Sequence, residues 1–176
     1  ISSVRDINRD GFDDVLVSEG SSKAYLLYGD TVISEKNLIK IVSEENRSMG
    51  GKLLKTTAFP MTNYVTALGD VNHDGYPDYS LNSDNGESVF SGKDFSPLME
   101  IKKDTSRSSH HLSLVGNKDL NHDGISDFLL LETFHPDSGE YFTETKIYLG
   151  GEDFPIEPSV TLRMETPGAS FLWSCF

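Results

Sequence analysis

Three observations predict an all-β chain: a nine-residue acidic loop that occurs three times, short β-prone runs on either side of each copy, and the lack of any amphipathic helix longer than two turns. The expected architecture is about three four-stranded antiparallel β-propeller blades, part of a larger propeller. The loops are Asp6-Ile7-Asn8-Arg9-Asp10-Gly11-Phe12-Asp13-Asp14, Asp70-Val71-Asn72-His73-Asp74-Gly75-Tyr76-Pro77-Asp78 and Asp119-Leu120-Asn121-His122-Asp123-Gly124-Ile125-Ser126-Asp127. Each reads Asp, apolar, Asn, any, Asp, Gly, apolar, any, Asp. They begin 64 and 49 residues apart, a repeat long enough for four short strands.

Oxygen-bearing side chains stand at loop positions 1, 3, 5 and 9, and Gly stands at 6, where a sharply turned chain excludes a Cβ. This is a hard-cation pattern: calcium takes about six to eight oxygen ligands. A main-chain carbonyl near position 7 can add one more. No His or Cys holds a ligand position, which argues against zinc and copper. Magnesium, with its strict octahedron and reluctance to dehydrate, suits such a loop less well. An EF-hand needs Glu at position 12 and a helix behind it. Here position 12 is Val17, Leu81 and Leu130, inside β-prone runs. One copy alone would pass for an Asx-rich turn without metal. Three copies with the same four oxygen positions point to a cation.

The elements follow in order. Val15–Ser18, Ala24–Tyr28 and Asn37–Val42 are expected strands, with a turn over Glu19–Ser22 and a polar connection over Glu44–Lys52. The first unit opens almost at its loop and is expected to lack most of its inner strand. In the second unit a strand ends at Leu68-Gly69, and Tyr79–Leu81, Glu87–Gly92 and Leu98–Lys102 follow the loop. In the third, Leu112–Val115 precedes the loop. Phe128–Glu132, a long turn over Thr133–Tyr141, Lys146–Gly150 and Val160–Met164 follow it. The expected blades are 1–48, 49–106 and 107–166, and 167–176, with Phe171-Leu172-Trp173, begins a further one.

A formal net charge of −13 makes nucleic acid and anionic membranes poor partners. Three bound divalent cations would bring it to −7. The single cysteine, Cys175, permits no intrachain disulfide. That fits a reducing compartment or a secreted repeat protein stabilised by metal. No run approaches the ~18 apolar residues of a membrane span, so no direct membrane insertion is expected, and no signal peptide is seen.

The loops, the strands behind them, and the segments Tyr25–Gly29, Val89–Gly92 and Ile147–Gly150 resemble the FG-GAP repeat, the blade of the integrin α-subunit propeller, including its bacterial forms. The resemblance implies calcium-binding loops that join the first and second strands of each blade, with up to three Ca2+ ions. Carried over by position, the ligands are Asp6, Asn8, Asp10, the Phe12 carbonyl and Asp14. The second set is Asp70, Asn72, Asp74, the Tyr76 carbonyl and Asp78, and the third is Asp119, Asn121, Asp123, the Ile125 carbonyl and Asp127. The Gly-Ala-Pro of the family is replaced by Ser18-Glu19-Gly20, Asn82-Ser83-Asp84 and Glu132-Thr133-Phe134. Its Phe-Gly is reduced to Leu68-Gly69 in the second unit and is missing from the third.

Arg9, His73 and His122 share position 4 and are expected to face solvent. His110 and His111 fall on opposite faces of a strand. Phe171, Trp173 and Phe176 are expected to be buried against a neighbouring blade. The sequence holds no Gly-x-Ser-x-Gly, phosphate loop or Cys-His pairing, so no catalytic residue is assigned. The expected function is an extracellular or cell-surface recognition or adhesion module. Its partners would be a protein or carbohydrate ligand and further propeller blades. The rival is the calcium-stabilised propeller scaffold of a secreted polysaccharide lyase or lipase, with its active site elsewhere.

Overall fold

The computed structural model describes residues 1–19, 23–43, 61–83, 86–103, 109–134 and 141–166. The chain is all-β. Its one helical element among the described residues is a 3₁₀ turn at Glu35–Asn37. Among the described residues twelve strands form three antiparallel sheets, each an up-and-down meander in chain order. The first sheet is β1 (Ser2–Arg5), β2 (Asp14–Glu19), β3 (Lys23–Leu27) and β4 (Leu38–Ser43). The second is β5 (Met61–Gly69), β6 (Asp78–Ser83), β7 (Gly86–Phe90) and β8 (Pro97–Lys102). The third is β9 (Ser109–Lys118), β10 (Asp127–Phe134), β11 (Tyr141–Tyr148) and β12 (Val160–Thr166).

The first sheet's inner strand is short, as expected: β1 has four residues against nine in β5 and ten in β9, and it pairs Ser2 with Leu16 and Ser3 with Val15. Its one apolar residue, Val4, is fully buried, so the anchor is a single side chain that periodicity does not reveal. Of the expected turn Thr133–Tyr141, residues 135–140 lie outside the described residues and both ends are strand. β10 continues to Phe134 and β11 starts at Tyr141, with Phe134 opposite Phe142 and their rings stacked at 4.7 Å. The expected strand over 170–174 and the aromatic stripe Phe171, Trp173 and Phe176 lie outside the described residues. So do the whole of the expected connection 44–52 and parts of the turns at 19–22 and 82–86. His110 and His111 are consecutive residues of β9.

The sheets pack face against face, β5 on β1 and β2, and β9 on β5. Between the first two sheets, Val4, Leu16 and Leu26 meet Val65, Tyr79, Leu81 and Phe90. Between the second and third, Leu68, Val71 and Val89 meet Leu112, Leu114, Phe128 and Leu130. The alternation of Val89 and Phe90 along β7 sends one side chain into each core. The middle sheet is therefore dry along β7, whose five residues are all buried, while its outer strand β8 exposes Pro97, Glu100 and Lys102. The third sheet has one apolar face turned outward. Val115 is exposed on β9, and Val160, Leu162 and Met164 are exposed along β12. Antiparallel register places Leu129 opposite Val115 and Ile147 opposite Val160 on that same side.

Burial of the middle sheet catches a carboxyl. Glu87 is 4% exposed; its Oε1 accepts from Asn82 Nδ2 at 2.7 Å and its Oε2 has no partner. Desolvation pushes its pKa up to about 7, against the lowering effect of the Asn82 hydrogen bond. A carboxyl raised in the folded state favours folding while protonated. Its contribution is complete below the unfolded value near 4.5 and is lost as pH rises through about 7. Glu87→Gln keeps the acceptor for Asn82 and cannot ionise. Its stability relative to the parent should rise between pH 5 and 8 by at most about 1.4 kcal/mol per pH unit. Urea denaturation of both proteins at several pH values measures this difference; a constant gap across that range would contradict it.

Candidate metal centres

All three acidic loops connect the first two strands of a sheet: Asp6–Asp14 joins β1 to β2, Asp70–Asp78 joins β5 to β6, and Asp119–Asp127 joins β9 to β10. The meander topology puts them at the same end of each sheet. Position 6 is left-handed in every copy, with φ of 94° at Gly11, 86° at Gly75 and 88° at Gly124. Position 4 is left-handed too, at Arg9, His73 and His122, with φ between 57° and 63°. A residue with a Cβ is seldom found there.

One hydrogen-bond scheme holds each loop. At position 1, Asp6, Asp70 and Asp119 accept the amide of position 5 on Oδ1 and the amide of the Gly on Oδ2, at 2.8–3.2 Å. At position 3, Asn8, Asn72 and Asn121 accept the position-5 amide at 3.1 Å and donate Nδ2 to the position-5 carboxylate. At position 5, Asp10, Asp74 and Asp123 accept the amide of position 7. These are Asx-type turns nested in one another.

Position 9 behaves differently. Asp14, Asp78 and Asp127 are fully buried. Oδ2 of each accepts the position-2 amide, from Ile7 at 2.7 Å, Val71 at 2.9 Å and Leu120 at 2.6 Å. Oδ1 accepts the amide of the glycine that follows the third strand, from Gly29 at 2.8 Å, Gly92 at 2.9 Å and Gly150 at 2.8 Å. The carboxylate thus staples the start of the loop to the far end of the hairpin. Those glycines are there for want of room. A Cβ on Gly29, Gly92 or Gly150 would lie 2.5, 1.9 or 2.2 Å from the carbonyl oxygen of loop position 8.

Burial raises the pKa of Asp14, opposed by the amides of Gly29 and Ile7. Burial pushes Asp78 up to about 7, with Asp74 and Asp70 adding to it and the two amides opposing it. A divalent cation beside these groups would act in the opposite direction. Asp123 moves down, held first by the amide of Ile125 and then by Asn121, with His73 also contributing.

The loops touch their neighbours. Arg9 donates Nε to Gly75 O at 3.1 Å, and its Nη2 also donates to that carbonyl oxygen. Its guanidinium carbon lies 4.0 Å from the centre of the Tyr76 ring. Position 4 was expected to face solvent, and Arg9, His73 and His122 are all exposed; Arg9 in addition bridges from the first loop to the second. Between the second and third loops the main chain makes the link, with Ser126 N donating to Asp70 O at 3.1 Å and Gly151 N to Val71 O at 3.0 Å.

Among the described residues, no three His, Cys, Asp or Glu side chains are drawn together as metal ligands are. The side-chain oxygens turn to loop amides. A carboxylate nonetheless has about four lone-pair sites, and the hydrogen bonds above use only some of them. The donor chemistry, three carboxylates and one amide oxygen per loop with no nitrogen or sulfur, fits a hard cation. No protein-family model matches the chain, and no curated protein matches it either. No helix among the described residues is long and apolar enough to cross a membrane.

Two glycine substitutions separate the staple from the turn. Gly92→Ala forces a Cβ against the main-chain oxygen of Pro77, whereas a Cβ on Gly11 meets nothing within 4 Å and costs only the left-handed backbone. Gly11→Ala should cost about 1 kcal/mol. Gly92→Ala should cost about 3 kcal/mol, near the value for Asp78→Ala, which strips acceptors from two amides. Chemical denaturation gives both; equal costs for the two glycines would mean the staple is loose.

Proposed function

We propose that the chain is a segment of a calcium-stabilised β-propeller of the FG-GAP type, serving as an extracellular recognition or adhesion module for a protein or carbohydrate ligand. The observation that carries this reading is the threefold identity of the loops. The same four oxygen positions recur with the same hydrogen bonds, once per sheet, always between the first and second strands. The ligands are those carried over by position, from Asp6 to Asp14, Asp70 to Asp78 and Asp119 to Asp127. A bound calcium ion supplies charge neutralisation, reducing three carboxylates per loop to a net −1.

The propeller part of the reading is supported by three like sheets packed in series with their loops at one end. The outward apolar face of the third sheet, with Val160, Leu162 and Met164, is the kind of surface that a further blade covers. The acidity of the chain favours a partner other than nucleic acid. In this reading the chain binds and does not catalyse. A glycan and protein array run beside a polysaccharide activity screen distinguishes it from an enzyme scaffold.

The direct test is metal. Thermal melting in millimolar calcium should lie well above melting in EGTA, by about 2.7 kcal/mol per site at a hundredfold excess over Kd. An unchanged midpoint would refute the calcium reading. Calorimetric titration ranks positions within the third loop: Asp123→Ala should lose one site, and His122→Ala should keep all of them.

A further inference from the structure

Arg9 stands in the first loop between two of its proposed ligands, Asn8 and Asp10. Its side chain grips two residues of the second loop. Gly75 O accepts from both Nε and Nη2, and the Tyr76 ring lies under the guanidinium. These are positions 6 and 7, and the Tyr76 carbonyl is the proposed main-chain ligand there. The grip is confined from both sides. A Cβ on Gly75 would fall 2.1 Å from Arg9 Nη2, so the guanidinium would have to shift to admit one. Arg9 itself is held with φ at 62°, a conformation uncommon for a residue with a Cβ, and its amide neighbour Asp10 N is pinned by Asp6 and Asn8.

We infer that Arg9 is a positioning residue that couples the first two loops, so that ordering the first loop around a cation pre-orders residues 75–76 and raises the affinity of the second. The inference rests on the calcium reading above. The physical basis is linkage. Arg9 reaches loop two from a left-handed backbone that Asp6 and Asn8 hold through the Asp10 amide, and a cation bound by Asn8 and Asp10 would hold it further. Whatever stabilises one loop then stabilises the other, and the effect is reciprocal. The guanidinium is also the wrong charge to sit beside a cation. Its contribution is therefore expected through geometry, and Arg9→Lys, which keeps the charge but lacks the planar fork, should not replace it.

The test uses the whole chain in four forms: parent, Arg9→Ala, Arg9→Lys and Asp10→Ala. Amide hydrogen exchange at Asp74, Gly75 and Tyr76 is followed in EGTA and in calcium, with calcium titration by calorimetry alongside. Arg9→Ala should speed exchange in the second loop about fivefold or more in both conditions, leaving Gly124 and Ile125 of the third unchanged. Asp10→Ala should weaken calcium binding at the second loop as well as abolish it at the first, and Arg9→Ala should keep both sites but remove the cooperativity between them. Arg9→Lys should resemble Arg9→Ala. Second-loop exchange and affinity unaltered in Arg9→Ala would overturn the coupling. Binding of no calcium by the parent would overturn it together with the calcium reading, and exchange in EGTA would then still report separately whether the grip exists.

Discussion

The carboxylate at loop position 9 is the constraint on which the rest depends. Asp14, Asp78 and Asp127 are each buried, and each accepts two main-chain amides that would otherwise be lost inside the protein. One amide starts the loop; the other closes the strand two elements later. A single side chain thereby fixes the entry to the loop, the hairpin behind it and the turn that ends that hairpin. The acidic loop does not float on a finished sheet. It is tied into the sheet at its last residue, which is why loop and sheet recur as one unit.

Packing then follows from the units. Each sheet buries a face against the next, and the middle sheet buries both. The cost falls on polar groups with no water to turn to. Tyr79 Oη, Ser80 Oγ and Glu87 Oε2 are all buried in the middle sheet without partners. The loops, by contrast, stay near the surface and satisfy nearly everything internally. The molecule thus separates a dry sheet interior from a polar edge where charge is dense and adjacent loops meet.

Much of this was legible in the sequence. The loops, their strand-to-strand placement and most strands could be read because Asp, Asn and Gly recur at fixed positions between apolar runs. Other parts were not legible, for physical reasons. β1 has one apolar residue. The start of β11, Tyr-Phe-Thr-Glu-Thr, lies ahead of the strand expected from Lys146, and it is strand because β10 and β12 pair with it on both sides. Position 4 looked like a spacer because its reach depends on a left-handed φ and on a neighbouring loop, neither of which is written locally. Position 9 was read as a ligand, and its burial was not legible because it depends on a glycine 14 to 23 residues away.

The same staple acts as a ruler with one free end. From the aspartate to its glycine the chain runs 15, 14 and 23 residues in the three units. More than half of the extra length in the third lies in β10 and β11, at eight residues each, extending the hairpin away from the loops. The stapled edge admits no insertion, since its partners must meet within hydrogen-bond distance. The opposite edge can lengthen by whole strand pairs without disturbing them. Duplicated units of this kind keep one rim nearly invariant and vary the other in height and composition. A repeat array that must hold its shape and still diversify has its variable surface built in, on the side away from the acidic loops.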